Sequence, residues 1–386
     1  FKQKTAYEIS LGLVGSEMCI RDRFYVPTET ATNDYYGGYR PGDNLFANSV
    51  VALDAETGER VWHFQLTHHE LWDYDIPTAP ILVDITVDGA VVKALVQLSK
   101  QGFAYVLNRE TGEPVWPIEE RPVPLSDVPW EWTSPTQPFP TKPPAFERQG
   151  VSEDDLIDFT PELRAEALQI VENFTLGPIY TPPTLQEPNG NRGTIALPSA
   201  GGGVNWPGGA VDADAGILFV PSVTRPSLFG LIDGTEGTGV RYHISSASGV
   251  PTVRDLPLIK PPYGRITAID LTEGEIIWQI PHGETPGYIQ AHPDLQGLDI
   301  PKTGILTQSS GLLVTSTLLF AGEGARGAPV LRAYDKRTGE IIHELQLPGG
   351  PTTGFPITYM ANGQQHIVVA ALDEENIAEL VAFTLQ

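Results

Sequence analysis

Ten residues, HHELWDYDIP at 68–77, gather His68, His69, Glu70, Trp72, Asp73 and Asp75 directly after an alternating apolar strand. Such a string can be a polar loop, or a zinc site through His68 and His69. Adjacent side chains on an extended backbone point in opposite directions, which weakens the zinc reading. Lys100 follows Asp73 by 27 residues and stands in SKQGFAYVLNR (99–109), on a turn just before another strand. A carboxylate and an ammonium at the same end of neighbouring sheets could face one substrate. The acid would accept a proton, and the cation would stabilise charge developing on an oxygen. The other reading is two unrelated surface residues.

Repeated strands must position these groups. Four windows share one frame: VVALDAETGERVW (50–62), AYVLNRETGEPVW (104–116), ITAIDLTEGEIIW (266–278) and LRAYDKRTGEIIH (331–343). Each has an alternating strand, an Asp or Asn, a Gly four residues later, and a second strand opening two or three residues on. The frame predicts a hairpin in which Asp54, Asn108, Asp270 and Asp335 bond to turn amides, while Gly58, Gly112, Gly274 and Gly339 supply positive φ. Trp62, Trp116 and Trp278 then occupy one equivalent place, able to wedge between neighbouring sheets, and His343 replaces the fourth. A weaker unit, AVDADAGILFVPS (210–222), reads as a fifth, and hairpins continue through 349–372. Spacings of 54 residues (Gly58 to Gly112) and 65 (Gly274 to Gly339) suit four-stranded blades with loop insertions. The fold class expected is all-β, a β-propeller whose loops converge on a channel.

Residues 117–181 interrupt the repeats with Pro-rich, irregular sequence. Inside this insertion Thr160-Pro161-Glu162 predicts a helix start, and Leu163, Ala167, Ile170, Val171 and Phe174 follow at helical spacing as a packing stripe. Residues 1–23 show neither strand alternation nor turn spacing and resemble a translated sequencing-adapter read-through, so they are set apart from the propeller at 24–386. The natural chain is then expected to begin upstream of Phe24.

Bulk properties narrow the function. With 39 Gly, 35 Pro and 41% hydrophobic residues the 386-residue chain is globular and turn-rich, and no apolar run approaches the roughly 18 to 20 residues of a membrane span. A formal charge of −24 repels phosphate backbones and anionic membrane surfaces, which argues against a nucleic-acid partner. The lone cysteine, Cys19, excludes an internal disulfide, a thiolate zinc site and a Cys-x-x-Cys-His haem attachment.

The repeats, HHELWDYD, the Lys-Gln-Gly-Phe turn at 100–103, TGEPVWPIEERPVP (111–124), YTPP (180–183), GGGVNWPGGAVD (201–212) and PYGRITAIDL (262–271) occur in order. Together they resemble pyrroloquinoline quinone (PQQ) dependent dehydrogenases, above all the membrane-type quinoprotein glucose dehydrogenase branch, over nearly all of 24–386. The resemblance implies an eight-bladed propeller with PQQ and Ca2+, or a lanthanide, on its axis. This chain would be a C-terminal fragment of about five to six blades.

By the same resemblance Asp73 matches the general base and also touches the metal, Lys100 matches the residue bonding the ortho-quinone oxygens, and Asn205 and Trp206 match a segment lining the PQQ pocket. Thr30, in Glu29-Thr30-Ala31, stands where many relatives have the Asn of a Gly-Asn-Pro metal string, which leaves Asn33 as the substitute ligand. Asp75 resembles an added metal carboxylate. The activity implied is oxidation of a sugar or alcohol hydroxyl, electrons passing to membrane quinone, in the periplasm and at the inner membrane through a missing N-terminal part. Two other readings keep the repeats: a simple-alcohol dehydrogenase with a cytochrome acceptor, and a non-catalytic propeller scaffold.

Overall fold

The computed structural model describes residues 18–20, 22–235, 237, 239–245, 249–373, 375 and 377–384. It divides into two compact units: Phe1–Val83 with Val91–Gly203 and Arg225–Lys260, and Asp84–Ala90 with Val204–Thr224 and Pro261–Gln386. Of the segment read as foreign, residues 1–17 and 21 lie outside the described residues. Met18–Ile20 pairs with Arg23, Phe24 and Tyr25 at the edge of the first sheet.

The predicted turn forms in all four windows. Asp54 Oδ1 accepts the amides of Glu56 (3.0 Å) and Thr57 (2.8 Å), and Asn108, Asp270 and Asp335 bind the equivalent amides. Each turn glycine has φ between 68° and 79° and returns its amide to the carbonyl of the Asp or Asn four residues back. Three of these hairpins carry a bulge at one equivalent place, between Ala52 and Leu53, Ala268 and Ile269, and Ala333 and Tyr334. A bulge there steepens the strand twist.

In the first unit, Met18–Ile20, Arg23–Pro27, Ser49–Asp54 and Arg60–Gln65 form a four-stranded antiparallel meander. A second antiparallel pairing joins residues 94–98 to Ala104–Asn108. Trp62 at the outer strand of the first sheet donates its indole N–H to Arg109 O (3.1 Å), and a Cβ added at Gly112 would come within 2.7 Å of its ring. The repeat glycine therefore answers to two demands, positive φ and a neighbour's indole lying on it. The second window does not open the expected second strand. After its turn the chain makes only an isolated bridge between Leu107 and Pro114, because Pro114 and Pro117 carry no ladder N–H.

In the second unit, Ala210–Asp212, Ile217–Val223, Gly264–Asp270 and Glu275–Pro281 form one sheet, and Leu312–Val314, Leu318–Gly322, Val330–Asp335 and Ile341–Gln346 another. A three-stranded sheet follows, of Ile357–Ala361, Gln364–Leu372 and Ala378–Thr384. The hairpin at 210–222 is thus not a separate fifth repeat: Ile217–Val223 pairs residue by residue with Gly264–Asp270 of the third window. Trp278 repeats the docking of Trp62, bonding Lys336 O at 3.2 Å with its ring against Gly339.

The insertion holds the predicted helix. It spans Pro161–Val171, Thr160 Oγ1 caps the Leu163 amide at 3.2 Å, and Leu163, Ala167 and Val171 are buried. The first unit's core runs through Val50, Leu66, Trp72, Tyr105 and Tyr180. That of the second gathers Phe219, Ile266, Leu319 and Tyr334. Among the described residues no helix is long and apolar enough to cross a membrane.

Candidate active site at the Asp73 turn

Residues 71–76 leave the first sheet as a turn whose burial alternates. Leu71, Trp72, Tyr74 and Ile76 are buried, while Asp73 and Asp75 face outward, 27% and 24% exposed at the side chain. Trp72 is pinned by its indole N–H to Thr181 O (2.8 Å), and Tyr74 by its hydroxyl to Pro198 O (2.8 Å). Glu70 ties the turn from inside: its carboxylate accepts the amides of Trp72 (2.5 Å) and Tyr74 (2.9 Å) and the Thr30 hydroxyl. Burial pushes the Glu70 carboxyl up to about 7 despite those bonds and nearby Arg40. This scaffold holds Asp73 at φ +59°, a left-handed conformation that costs a non-glycine residue roughly 1 kcal/mol or more.

Lys100 reaches the turn from the second antiparallel pairing, between residues 94–98 and Ala104–Asn108. Its Nζ, on a side chain 6% exposed, donates to Asp73 O (2.7 Å), Asp75 Oδ2 (2.9 Å) and Asp73 Oδ1 (3.3 Å). Asp75 Oδ1 accepts the Thr30 amide (2.9 Å), and Asp73 Oδ2 accepts the Tyr35 hydroxyl at 3.4 Å. The two carboxyls part company electrostatically. Burial, reinforced by the Asp75 charge, pushes Asp73 up to about 6 against the pull of Lys100. Burial also works on Asp75, but the Thr30 amide and Lys100 outweigh it and hold that carboxyl below its ordinary value. A carboxylate poised near neutrality beside a fixed ammonium is suited to taking a proton from a hydroxyl.

The family model for the PQQ glucose/ethanol/alcohol dehydrogenase β-propeller domain matches residues 20–367. This chain belongs to that family. As a PQQ dehydrogenase propeller it is 31% identical over 374 residues to quinoprotein glucose dehydrogenase A of Acinetobacter calcoaceticus, covering 91% of this chain and 45% of that protein. It is 32% identical over 380 residues to the glycerol dehydrogenase large subunit of Gluconobacter oxydans, covering 90% and 49%. The chain thus spans about half the length of these relatives. Among solved structures, the quinohemoprotein alcohol dehydrogenase of Comamonas testosteroni superposes with a TM-score of 0.58 at 21% identity, covering 94% of this chain and 46% of that one. The all-β propeller class read from the repeats is therefore the family's fold.

For the family's cofactors, the donor chemistry of this turn fits in part. Lys100 supplies an ammonium of the kind that bonds quinone oxygens, and Asp73 and Asp75 are hard oxygen donors suited to Ca2+ or a lanthanide. Lys100 stands between those carboxylates, and among the described residues no group of three or more His, Cys, Asp or Glu side chains is disposed to hold a metal. Asn33 Oδ1 accepts the Tyr35 amide at 3.4 Å. Asn205 and Trp206 lie in the second unit, where Asn205 Oδ1 accepts the Trp206 amide (2.7 Å) and the indole is 76% exposed.

Both histidines of the HHELWDYD string are structural. His68 bonds Gln65 (2.8 Å) and Glu120 (2.9 Å), and His69 bonds Gly42 O (2.8 Å) and Glu131 (3.2 Å), which answers the zinc reading. The sequence reading missed Glu70 as the tie and Tyr35 as a contact of the base. The string TNDYYGG (32–38), which also holds Asn33, was the available signal for Tyr35.

Proposed function

We propose that the protein oxidises the CH–OH group of a sugar or alcohol, with PQQ as hydride acceptor and Ca2+, or a lanthanide, as the accompanying cation. The observation that carries this reading is the junction of Lys100 with Asp73 and Asp75 on a strained, buttressed turn. PQQ, when bound, supplies an ortho-quinone that accepts two electrons and a proton as hydride.

The rest is asked of the chain. Asp73, ionised above pH about 6, takes the hydroxyl proton as the carbinol C–H bond breaks and the carbonyl forms. Lys100 donates hydrogen bonds to the oxygen on which negative charge grows. Asp75 keeps Lys100 aimed and, with Asp73 and Asn33, offers oxygen ligands to the cation. Electrons leave to membrane quinone in the periplasm, at the inner membrane; a cytochrome acceptor is the alternative to be separated from it.

The test is expression of the complete gene, loading with PQQ and Ca2+ or a lanthanide, and assay of glucose, glycerol and short alcohols with an artificial acceptor. Dye reduction by at least one of them, with PQQ retained by absorbance, is expected. A correctly folded protein that holds no PQQ and reduces no dye with any of these substrates overturns the proposal.

A further inference from the structure

Asp73 sits between two backbone amides that are turned to one point. Trp72 N (2.5 Å) and Tyr74 N (2.9 Å) both donate to Glu70 Oε1, a single oxygen on a residue 1% exposed. Amides on either side of a left-handed residue form a concavity for an anion, and here the chain supplies the anion itself. The arrangement is held from both ends. Arg40 Nη2 donates to Glu70 O (2.5 Å) and Asn33 O (2.9 Å), while the Thr30 hydroxyl donates to Glu70 Oε2 and the Thr30 amide to Asp75 Oδ1 (2.9 Å). The rings of Trp72 and Tyr74 stack, centroids 6.1 Å apart at 20°, and the residue between them is turned the other way, toward solvent.

We infer that Glu70 is a positioning residue for the proton transfer: by accepting both flanking amides it sets the direction of the Asp73 carboxylate, and through Thr30 it steadies that of Asp75. The inference rests on the reading of Asp73 as the base. Without that acceptor an aspartate relaxes out of the left-handed conformation, and its carboxylate swings away from Lys100 and from the hydroxyl it deprotonates. The loss falls on turnover more than on substrate binding, because the aim of the base matters in the step that breaks the O–H and C–H bonds. What the turn asks of residue 70 is an acceptor oxygen in one place. A side-chain amide there keeps a carbonyl oxygen for Trp72 N and Tyr74 N and offers its nitrogen to the Thr30 hydroxyl. An unbranched apolar side chain of similar length offers neither.

The experiment uses the full-length protein loaded with PQQ and Ca2+, with occupancy followed by absorbance, folding by near-ultraviolet circular dichroism, and glucose, glycerol and ethanol as substrates. Glu70→Gln should stay within about three-fold of the parent kcat, whereas Glu70→Met should lose about 10- to 100-fold in kcat per folded, PQQ-loaded molecule with KM within about three-fold. In an Asp73→Asn background Glu70→Met should lower the residual kcat by less than about two-fold, because both changes act on one base. Should Glu70→Met not fold, Thr30→Val, which removes the hydroxyl bonded to Glu70, should lower kcat about three- to ten-fold while Thr30→Ser retains it. Full kcat in folded Glu70→Met, or in Thr30→Val where that stands in, overturns the positioning role. Equal losses in the Gln and Met variants overturn it too, as do losses that multiply with Asp73→Asn. An inactive Asp73→Asn protein beside an unaffected Glu70→Met leaves the base standing and sinks Glu70 alone. A parent protein that oxidises none of the three substrates overturns both readings.

Discussion

Lys100 in the first unit and Arg332 in the second each gather carboxylates, and the two clusters differ in how fully their charges are matched. Arg332, 2% exposed, spreads its guanidinium over Glu323, Glu344 (2.6 Å) and Glu284 (3.1 Å), and Glu323 is itself 1% exposed. Burial alone would lower the guanidinium, yet its bonds to Glu323 and Glu344 hold it above its usual value. Every nitrogen of that fork is spoken for by strands it helps to join. Lys100 is a point charge shared among three oxygens at 2.7 to 3.3 Å. Solvent exposure runs the other way, Asp73 and Asp75 being 27% and 24% exposed and Glu284 and Glu344 51% and 42%. What separates the clusters is the match of charge: the Arg332 fork is filled by three carboxylates, whereas beside Lys100 burial pushes the Asp73 carboxyl up to about 6.

Three substitutions or conditions can break that contrast. Asp73→Asn in the full-length, PQQ-loaded protein should lower kcat by about 10²- to 10⁴-fold while PQQ binding stays measurable by absorbance. Unaltered turnover would remove Asp73 from the role of base. Arg332→Met should leave kcat per folded molecule within about two-fold but cost about 3–5 kcal/mol in urea unfolding, because Glu323 is left buried and unmatched. A loss under about 1 kcal/mol would mean the cluster is not the brace described.

The third uses pH on His282, buried against Tyr334 (3.0 Å) and Gly322 O (3.0 Å), with Glu323 raising its affinity for a proton and Arg332 and Lys302 opposing. Burial pulls this histidine down to about 4 from an ordinary 6.5. The unfolded chain takes up a proton that the folded one refuses, so stability is complete above pH 6.5 and falls as pH drops toward 4, by up to about 3 kcal/mol. Thermal melts from pH 7.5 to 4 should show that loss, reduced in His282→Gln. An equal decline in both proteins would assign it to other groups.

The turn chemistry was legible because it is local: Asp54, Thr57 and Gly58 meet within one hairpin, and their types announce the bonds they make. The helix at 161–171 was legible for the same reason. The partnership of 210–222 with 266–278 was not. The strands pair across a 40-residue excursion, and nothing in either states its neighbour. Pro114 could have warned that the second window lacks a partner strand.

At the site, residue types and the family resemblance pointed to Asp73 and Lys100 together. Glu70 was hidden by its alternation with apolar neighbours, which reads as a polar loop until the amides of Trp72 and Tyr74 are seen to converge on it. Tyr35 was hidden by distance in sequence, since its contact with Asp73 depends on how residues 28–48 fold back over the turn.

The docking of Trp62 on Gly112 also bears on how the chain emerges from a ribosome. The indole belongs to the earlier sheet and its seat to the later one, 50 residues downstream. At ordinary elongation rates the ring waits roughly 3 to 10 seconds before its seat exists. During that interval a large apolar surface is unsheathed, and each new sheet quenches the stickiness of the one made before it.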